Sequence, residues 1–300
     1  MLRELAKRDS VRGLDLLGTT TFIAGLTGLV LGISRGGLSG WDDPIVIGGL
    51  AAAAVLLPAF VLIEHRSRAP MLDLSIFEDR LFAAATAAAF INGLSRFALM
   101  FVFVFYFQGA QGDDPITAGI KLAPMALGML VSSPLAGIAA DRRGSRALAA
   151  WGMAVTAAGL ALMTTLQADS SYWQSSVLLL TVGIGSGLFN SPNTAAMMGA
   201  VAPQRRGIAA GARTMLQNTG AVVSIAFVMA IVTAAVPKHV LFEIFSGLGG
   251  GLTAAQLDPF IRNMHTALLV LALTSFAGAG VSLLRPRDTS VRTVYGEATT

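Results

Sequence analysis

Gly137-Ile138-Ala139-Ala140-Asp141-Arg142-Arg143-Gly144-Ser145-Arg146 is the stretch whose reading decides the fold. It is a short charged hairpin, flanked on each side by an apolar run of about twenty residues, the length a helix needs to cross a bilayer. Two long apolar segments joined by so few residues are antiparallel neighbours. Gly137 and Gly144 suit a close backbone approach and a tight turn. Asp141 can cap or pair, while Arg142, Arg143 and Arg146 concentrate positive charge.

The composition around this joint is that of a membrane protein. Of 300 residues, 54% are hydrophobic and only 13% charged, with a mean hydropathy of +0.68. A soluble domain carries about 25% charged residues. The net charge of +4 and the pI near 10.0 reside in loops, which points to membrane topology rather than to nucleic acid. The absence of cysteine excludes disulfides and thiol ligands. The charged start, with Arg3, Glu4, Lys7, Arg8 and Asp9, is unlike a secretory signal peptide.

The expected fold is all-α, a polytopic transmembrane helix bundle of about eight spans. These run at about Leu16–Ile33, Pro44–Ile63, Phe82–Phe107, Ile116–Ala140, Ala147–Leu166, Ser176–Ala200, Ile208–Val236 and Thr266–Leu284. The distribution of lysine and arginine then orients them. Alternate segments from the N-terminus hold 15 of the 21 basic residues, the opposite set holds only Arg35, Lys121, Lys238 and Arg262, and Arg96 and Arg213 lie within spans. Both termini and the hairpin are therefore expected in the cytoplasm. The chain divides into a cytoplasmic N-terminal segment (1–13), a first helix pair (14–64), a cytoplasmic linker (65–81), six further helices (82–285) and a polar tail (286–300). Met71–Phe77 is expected to lie along the membrane surface as part of the linker. Pro237–Met264 is expected outside, as an amphipathic cap holding Phe242, Ile244, Phe245, Gly247 and Gly249–Gly251.

Charged and amide side chains at membrane depth mark candidate function. None of the 17 acids falls mid-span; Asp15 and Glu64 sit at borders and the rest outside. A coupling carboxylate, if used, is thus expected elsewhere. Arg96 is near the middle of the third span with Asn92 four residues earlier on the same helical face. A mid-bilayer arginine costs at least about 2.5–3.5 kcal/mol unless it faces a cavity or a partner. It either lines a cavity or serves a neighbouring helix structurally; both readings stand. Arg213 and Gln217 pair likewise, with Gly220 and Ser224 near that face, as a structural snorkel or a gate. Asn190 and Asn193 flank Pro192, where they can satisfy the carbonyl that proline frees or line a path. Gly183, Gly185 and Gly187, Gly152 and Gly159, and Gly25, Gly28 and Gly32 read as close-packing faces. Phe97, Met100, Phe101, Phe103, Phe105, Tyr106 and Phe107 make the third span aromatic, facing lipid or neighbouring helices in the main, with a minority available to line a greasy cavity.

No catalytic or metal constellation is expected. His65, His239 and His265 fall in loops or at borders on different sides, there is no HExxH, and the Gly183–Gly187 run lacks the lysine of a phosphate loop. No cofactor is implied.

The hairpin resembles the loop signature of the major facilitator superfamily: glycine, three residues, Asp-Arg, one residue, glycine, one residue, arginine. Gly137, Asp141, Arg142, Gly144 and Arg146 match position by position. In that superfamily the signature lies between the second and third helices of a six-helix half, so the resemblance makes the third span the first helix of the C-terminal half. Two helices are then extra. With Leu14-Asp-Leu-Leu-Gly18, the Glu64–Phe77 linker and Gly207-Ile-Ala-Ala-Gly211…Gln217-Asn-Thr-Gly220, this is similar to the fourteen-spanner drug:proton antiporter branch. The resemblance implies a C-terminal portion lacking its N-terminal six helices. It implies proton-coupled export of hydrophobic or cationic drugs and other small molecules by alternating access in a bacterial inner membrane, with the hairpin as a gate. The partners implied are the lipid bilayer, substrate, protons and the missing half, covalent or separate. The rivals are a non-transporting truncated protein that pairs with a separate half, and an uptake permease of the same fold.

Overall fold

A computed structural model describes residues 15–67, 72, 74–234, 236–245 and 253–286. These residues form helices and turns, with no strand among them. The helices are α1 (Leu16–Ser39), α2 (Pro44–Arg66), α3 (Arg80–Phe105), α4 (Pro115–Lys121), α5 (Ala123–Arg143), α6 (Ser145–Leu162), α7 (Tyr172–Gly199), α8 (Arg206–Thr233), α9 (Lys238–Phe245) and α10 (Ala254–Leu284).

Local chemistry starts and stops these helices. Asp15, Asp43, Asp79 and Asp114 each accept a first-turn amide, from Gly18, Ile45, Phe82 and Ile116 at 2.7–3.0 Å. Pro44 and Pro115 follow two of these caps, where a missing N–H costs nothing. Ser171 with Gln174 and Thr253 with Gln256 form capping boxes at α7 and α10. The capping interactions lower carboxyl pKa values. Asp114 is held below its ordinary range chiefly by the Thr117 hydroxyl, Asp43 by the Arg35 side chain, and Asp15 by the Gly18 amide.

Seven helical segments are long and apolar enough to cross a membrane: Leu16–Gly36, Pro44–Arg66, Arg80–Ala110, Pro115–Arg142, Ser145–Thr165, Pro203–Thr233 and Ala255–Leu284. The eighth expected span, α7, has the length at 28 residues but not the hydropathy. Its polar residues Ser186, Asn190 and Asn193 are turned inward and buried. Exposed Leu130, Leu135, Trp151, Leu273 and Phe276 form the outward surface that lipid covers. Trp41 and Trp173, exposed at helix ends, suit an interfacial belt. The protein is an integral membrane protein.

Three boundaries differ from expectation. The fourth span breaks at Leu122 into α4 and α5, because Pro124 has no N–H for the preceding turn and its ring crowds the carbonyl four residues back. The third span runs on past Phe105 through a π-turn, Tyr106–Ala110. The last helix begins at Ala254 rather than Thr266, with Asp258 and Arg262 paired at 3.3 Å along its first turns. Much of the expected external cap is therefore helix: α9, and the first turns of α10. Gly247, Gly249–Gly251 and the side chains of Phe242, Ile244 and Phe245 lie outside the described residues, as do residues 1–14 and 287–300.

The six-helix unit is built around α7, which packs between α5 and α6. The glycines make this possible. A Cβ at Gly183 would overlap the Met125 carbonyl of α5, and one at Gly185 would stand 2.7 Å from the Gly152 carbonyl of α6. Helix association in lipid gains little from hydrophobic transfer and depends on such close van der Waals contact. The other side consists of α3 against α8 and α10, with α10 closing onto α6. The first two helices form a hairpin, α1 on α2, that reaches the other helices through α1 on α8.

The linker is more than a surface strap. Leu72 and Ile76, the latter in a 3-10 turn Leu74–Glu78, are buried in one cluster with Phe60 of α2, Phe82 of α3, Met197 of α7 and Ala209 of α8. Buried Glu64 accepts the Leu72 amide at 2.9 Å. Met71 and Asp73 lie outside the described residues. At the opposite end, Tyr106 donates to the Gln167 carbonyl at 2.6 Å, Gln111 to Ser170 at 2.9 Å, and His265 Nε2 stands 2.7 Å from the Leu166 carbonyl. There Lys121 pairs with Asp113 and lies over the Phe107 and Tyr172 rings.

Candidate functional site

The amides and arginines that the sequence singles out converge where α3, α7 and α8 meet. Asn92 of α3 is fully buried, and Asn190 and Asn193 of α7 are buried. Asn190 Nδ2 donates to the Ser186 carbonyl at 3.1 Å and reaches Asn92 Oδ1 at 3.5 Å. Arg213 Nη2 of α8 donates to Asn190 Oδ1 at 3.3 Å. One turn beyond Asn92, Arg96 lies with its guanidinium carbon 4.2 Å from the Phe97 ring centroid. The result is a polar seam, Arg213–Asn190–Asn92, with Arg96 beside it.

The seam is under-satisfied. Asn92 Nδ2, Arg96 Nε and Arg213 Nε have no hydrogen-bond partner among the described residues. Buried polar groups without partners are uncommon and call for a reason. Each arginine side chain stays partly exposed, so the seam reaches the surface of the helix unit.

Gln217 plays a different part. Its backbone carbonyl lies 2.8 Å from where a Cβ on Gly93 would stand, so it marks the crossing of α3 and α8. Gly220 against the Phe90 carbonyl, and the Ser224 hydroxyl donating to the Leu94 carbonyl, continue the same contact. This is the face expected for Arg213, Gln217, Gly220 and Ser224.

Asn193 belongs to a second node. Its Nδ2 donates to the Ala85 carbonyl at 2.9 Å, and its Oδ1 accepts from Arg285 Nη1 at 3.0 Å. Arg285 Nη2 donates to Ser145 Oγ at 2.8 Å. The expectation that the amides satisfy the carbonyl freed by Pro192 is thus corrected: both are engaged with neighbouring helices or with Ser186. Arg285 is also a correction. It sorts with the loop cations in the sequence, yet it is 1% exposed and ties the end of α10 to α6 and α7. No one-dimensional signal separates it from Arg287.

The signature hairpin lies beside this second node. Gly144 turns the chain with φ of +84°, a conformation glycine adopts without strain. A Cβ on Gly137 would stand 3.0 Å from Ser191 Oγ of α7. Ser145 is the buried acceptor of Arg285. Asp141 and Arg142 are exposed and Arg146 is partly so. Ion pairs at Arg35–Asp43, Lys121–Asp113 and Arg262–Asp258 lie away from the hairpin.

An apolar cleft of about 500 Å³ opens between α1, α3 and α8, lined by Val30, Phe101, Phe105, Val222 and Met229 among others. Two of the third span's aromatics therefore line a greasy cleft, while Phe103, Tyr106 and Phe107 are buried in the helix core. No group of three or more histidine and acidic side chains placed to hold a metal occurs among the described residues.

A glycine-packed α-helical membrane unit with a polar seam at depth is the build of a polytopic membrane transporter. Comparison with known proteins makes the assignment definite. Residues 1–224 and 85–292 match the family model of the Major Facilitator Superfamily, and the chain belongs to that superfamily. It is thus a member of a transporter family and not an enzyme. It is similar to an uncharacterized MFS-type transporter, YhcA, of Bacillus subtilis (strain 168), at 32% identity over 60% of this chain and 34% of the relative. It is similar to the multidrug transporter protein MdtP of the same organism, at 26% identity over 73% of this chain and 41% of the relative. The puromycin resistance protein pur8 of Streptomyces alboniger is 29% identical over 87% of this chain and 52% of its own length. The chain thus spans about a third to a half of the length of these relatives.

Proposed function

We propose that the chain forms one wall of a fourteen-span drug:proton antiporter. It would export hydrophobic or cationic drugs and other small molecules by alternating access, in a bacterial inner membrane. The observation that carries this reading is the polar seam of Asn92, Arg96, Asn190 and Arg213 inside the helix unit, because charge within a membrane-spanning helix is costly unless it serves a pathway. The names of the relatives, a multidrug transporter and a puromycin resistance protein, favour export. The relatives' greater length favours a second wall, supplied by six further helices in the same or a separate chain.

Coupling to protons follows a division of labour. The described acids lie at helix ends or in loops, so in this reading the titrating carboxylate comes from the second wall. The hairpin of Gly137, Asp141, Arg142, Gly144 and Arg146 acts as the gate on this wall, with Asp141 and the exposed arginines available to partners from the other. The test is gradient-driven movement of ethidium in everted vesicles holding the chain together with its complementary helices. Saturable accumulation that a protonophore abolishes is expected, lowered severalfold by Asn190→Leu. Folded protein that moves no ethidium under a pH gradient would defeat the reading.

A further inference from the structure

We propose that Asn92, Arg96 and Arg213 form a binding site for a carboxylate, which extends the substrates of the transporter described above to lipophilic acids. The inference rests on the reading of the seam as a pathway. It begins from unbalanced charge. Two guanidinium groups lie within the apolar spans Arg80–Ala110 and Pro203–Thr233, and no carboxylate pairs with either among the described residues. Arg96 rests its guanidinium on the Phe97 ring, and its buried Nε has no hydrogen-bond partner among the described residues. Arg213 spends one donor on Asn190 at 3.3 Å and leaves its Nε unpaired. Asn92 is fully buried, its Oδ1 approached by Asn190 at 3.5 Å, and its Nδ2 is unpaired.

The unpaired groups are all donors. A carboxylate is their complement: it accepts only, has about four lone-pair sites, and takes charge-assisted bonds from guanidinium and amide together. A neutral amide or alcohol would leave the two charges uncompensated, and a cation would add a third like charge. The carboxylate has two possible sources, a free lipophilic acid or an acidic side chain of the second wall, and the two differ in what they do to stability.

The test uses the purified full chain in phosphatidylcholine nanodiscs, with 1-naphthoate as probe and 1-naphthamide and 1-naphthylmethylammonium as controls. For a free acid, naphthoate binds saturably and raises the melting temperature. Its affinity falls about tenfold or more in Arg96→Gln and Arg213→Gln, and Arg262→Gln leaves it unchanged. Without ligand, Arg96→Gln melts no lower than the wild type, because an uncompensated charge has been removed. For a seated side chain, the complex with the complementary helices does not respond to naphthoate, and Arg96→Gln lowers its melting temperature. The inference is overturned if the amide or the ammonium compound binds as well as naphthoate, or if naphthoate binding ignores both arginine substitutions. It is also overturned if naphthoate has no effect while Arg96→Gln leaves the complex undisturbed. Ethidium transport without carboxylate binding would remove this inference and keep the transporter reading; carboxylate binding without any transport would do the reverse.

Discussion

Replacing Gly183 by alanine tests the close packing of α7 on α5. A Cβ there meets the Met125 backbone, with the carbonyl carbon at 2.9 Å and Cα at 3.0 Å and the oxygen nearer still. Backbone cannot rotate away as a flexible side chain does, so α7 must shift from α5. Overpacking of this kind costs about 1–3 kcal/mol, and contact with backbone places it near the upper end. Alanine recovers about 0.8–1 kcal/mol of helix propensity, leaving a net loss of about 2 kcal/mol. Gly211 of α8 is the control, since nothing lies within 4 Å of a Cβ built there. Gly211→Ala should therefore gain about 1 kcal/mol. Opposite signs are expected in thermal melts of the nanodisc-embedded protein, read by the fluorescence of Trp41, Trp151 and Trp173, with Gly183→Ala several degrees below the wild type. Gly183→Ala melting at or above the wild type, or both variants falling together, would refute the close-packing argument.

Three further outcomes follow from the same structure. Arg285→Leu leaves Asn193 Oδ1 and Ser145 Oγ without their guanidinium donors. It should destabilise the fold by about 2–4 kcal/mol, measurable by denaturant titration, with Arg285→Lys losing less. Asp141→Asn should leave the melting temperature unchanged, because the side chain is exposed, yet lower ethidium transport severalfold in the vesicle assay. Asp114, lowered in pKa chiefly by the Thr117 hydroxyl, contributes stability that is present above its unfolded pKa and lost as pH falls through its folded one. Melts between about pH 5 and pH 3 should show part of the acid destabilisation disappearing in Asp114→Asn, and an identical pH profile in the variant would refute it.

Much of the architecture was legible because lipid imposes simple rules. Apolar length marks spans, but the two flanks of the Gly137–Arg146 hairpin, expected as neighbours, touch little, because α7 packs between α5 and α6. Eight expected spans correspond to helices, although α7 lacks the hydropathy of the rest. Its composition is depressed by the same Ser186, Asn190 and Asn193 that it buries against neighbours. The candidate pairs Asn92 with Arg96 and Arg213 with Gln217 were legible from helical spacing, since residues four apart share a face. Which faces meet was not. Asn190 and Asn193 were grouped by sequence, and the structure divides them between Arg213 and Arg285.

The hairpin, the apolar runs and the position of each cation along its helix are properties of the chain taken one residue after another. They determined the class of fold, the family resemblance and the residues worth following. Rotation and approach of the helices belong to the tertiary structure alone. Three helices with unrelated sequence positions had to cross before Asn92, Asn190 and Arg213 came within hydrogen-bonding reach and left Arg96 Nε without a hydrogen-bond partner. Likewise Arg285, a loop cation by sequence, became a buried clamp because at the end of α10 its side chain reaches Asn193 of α7 and Ser145 of α6. Contacts between residues about a hundred positions apart carry no local periodicity, so packing decided them.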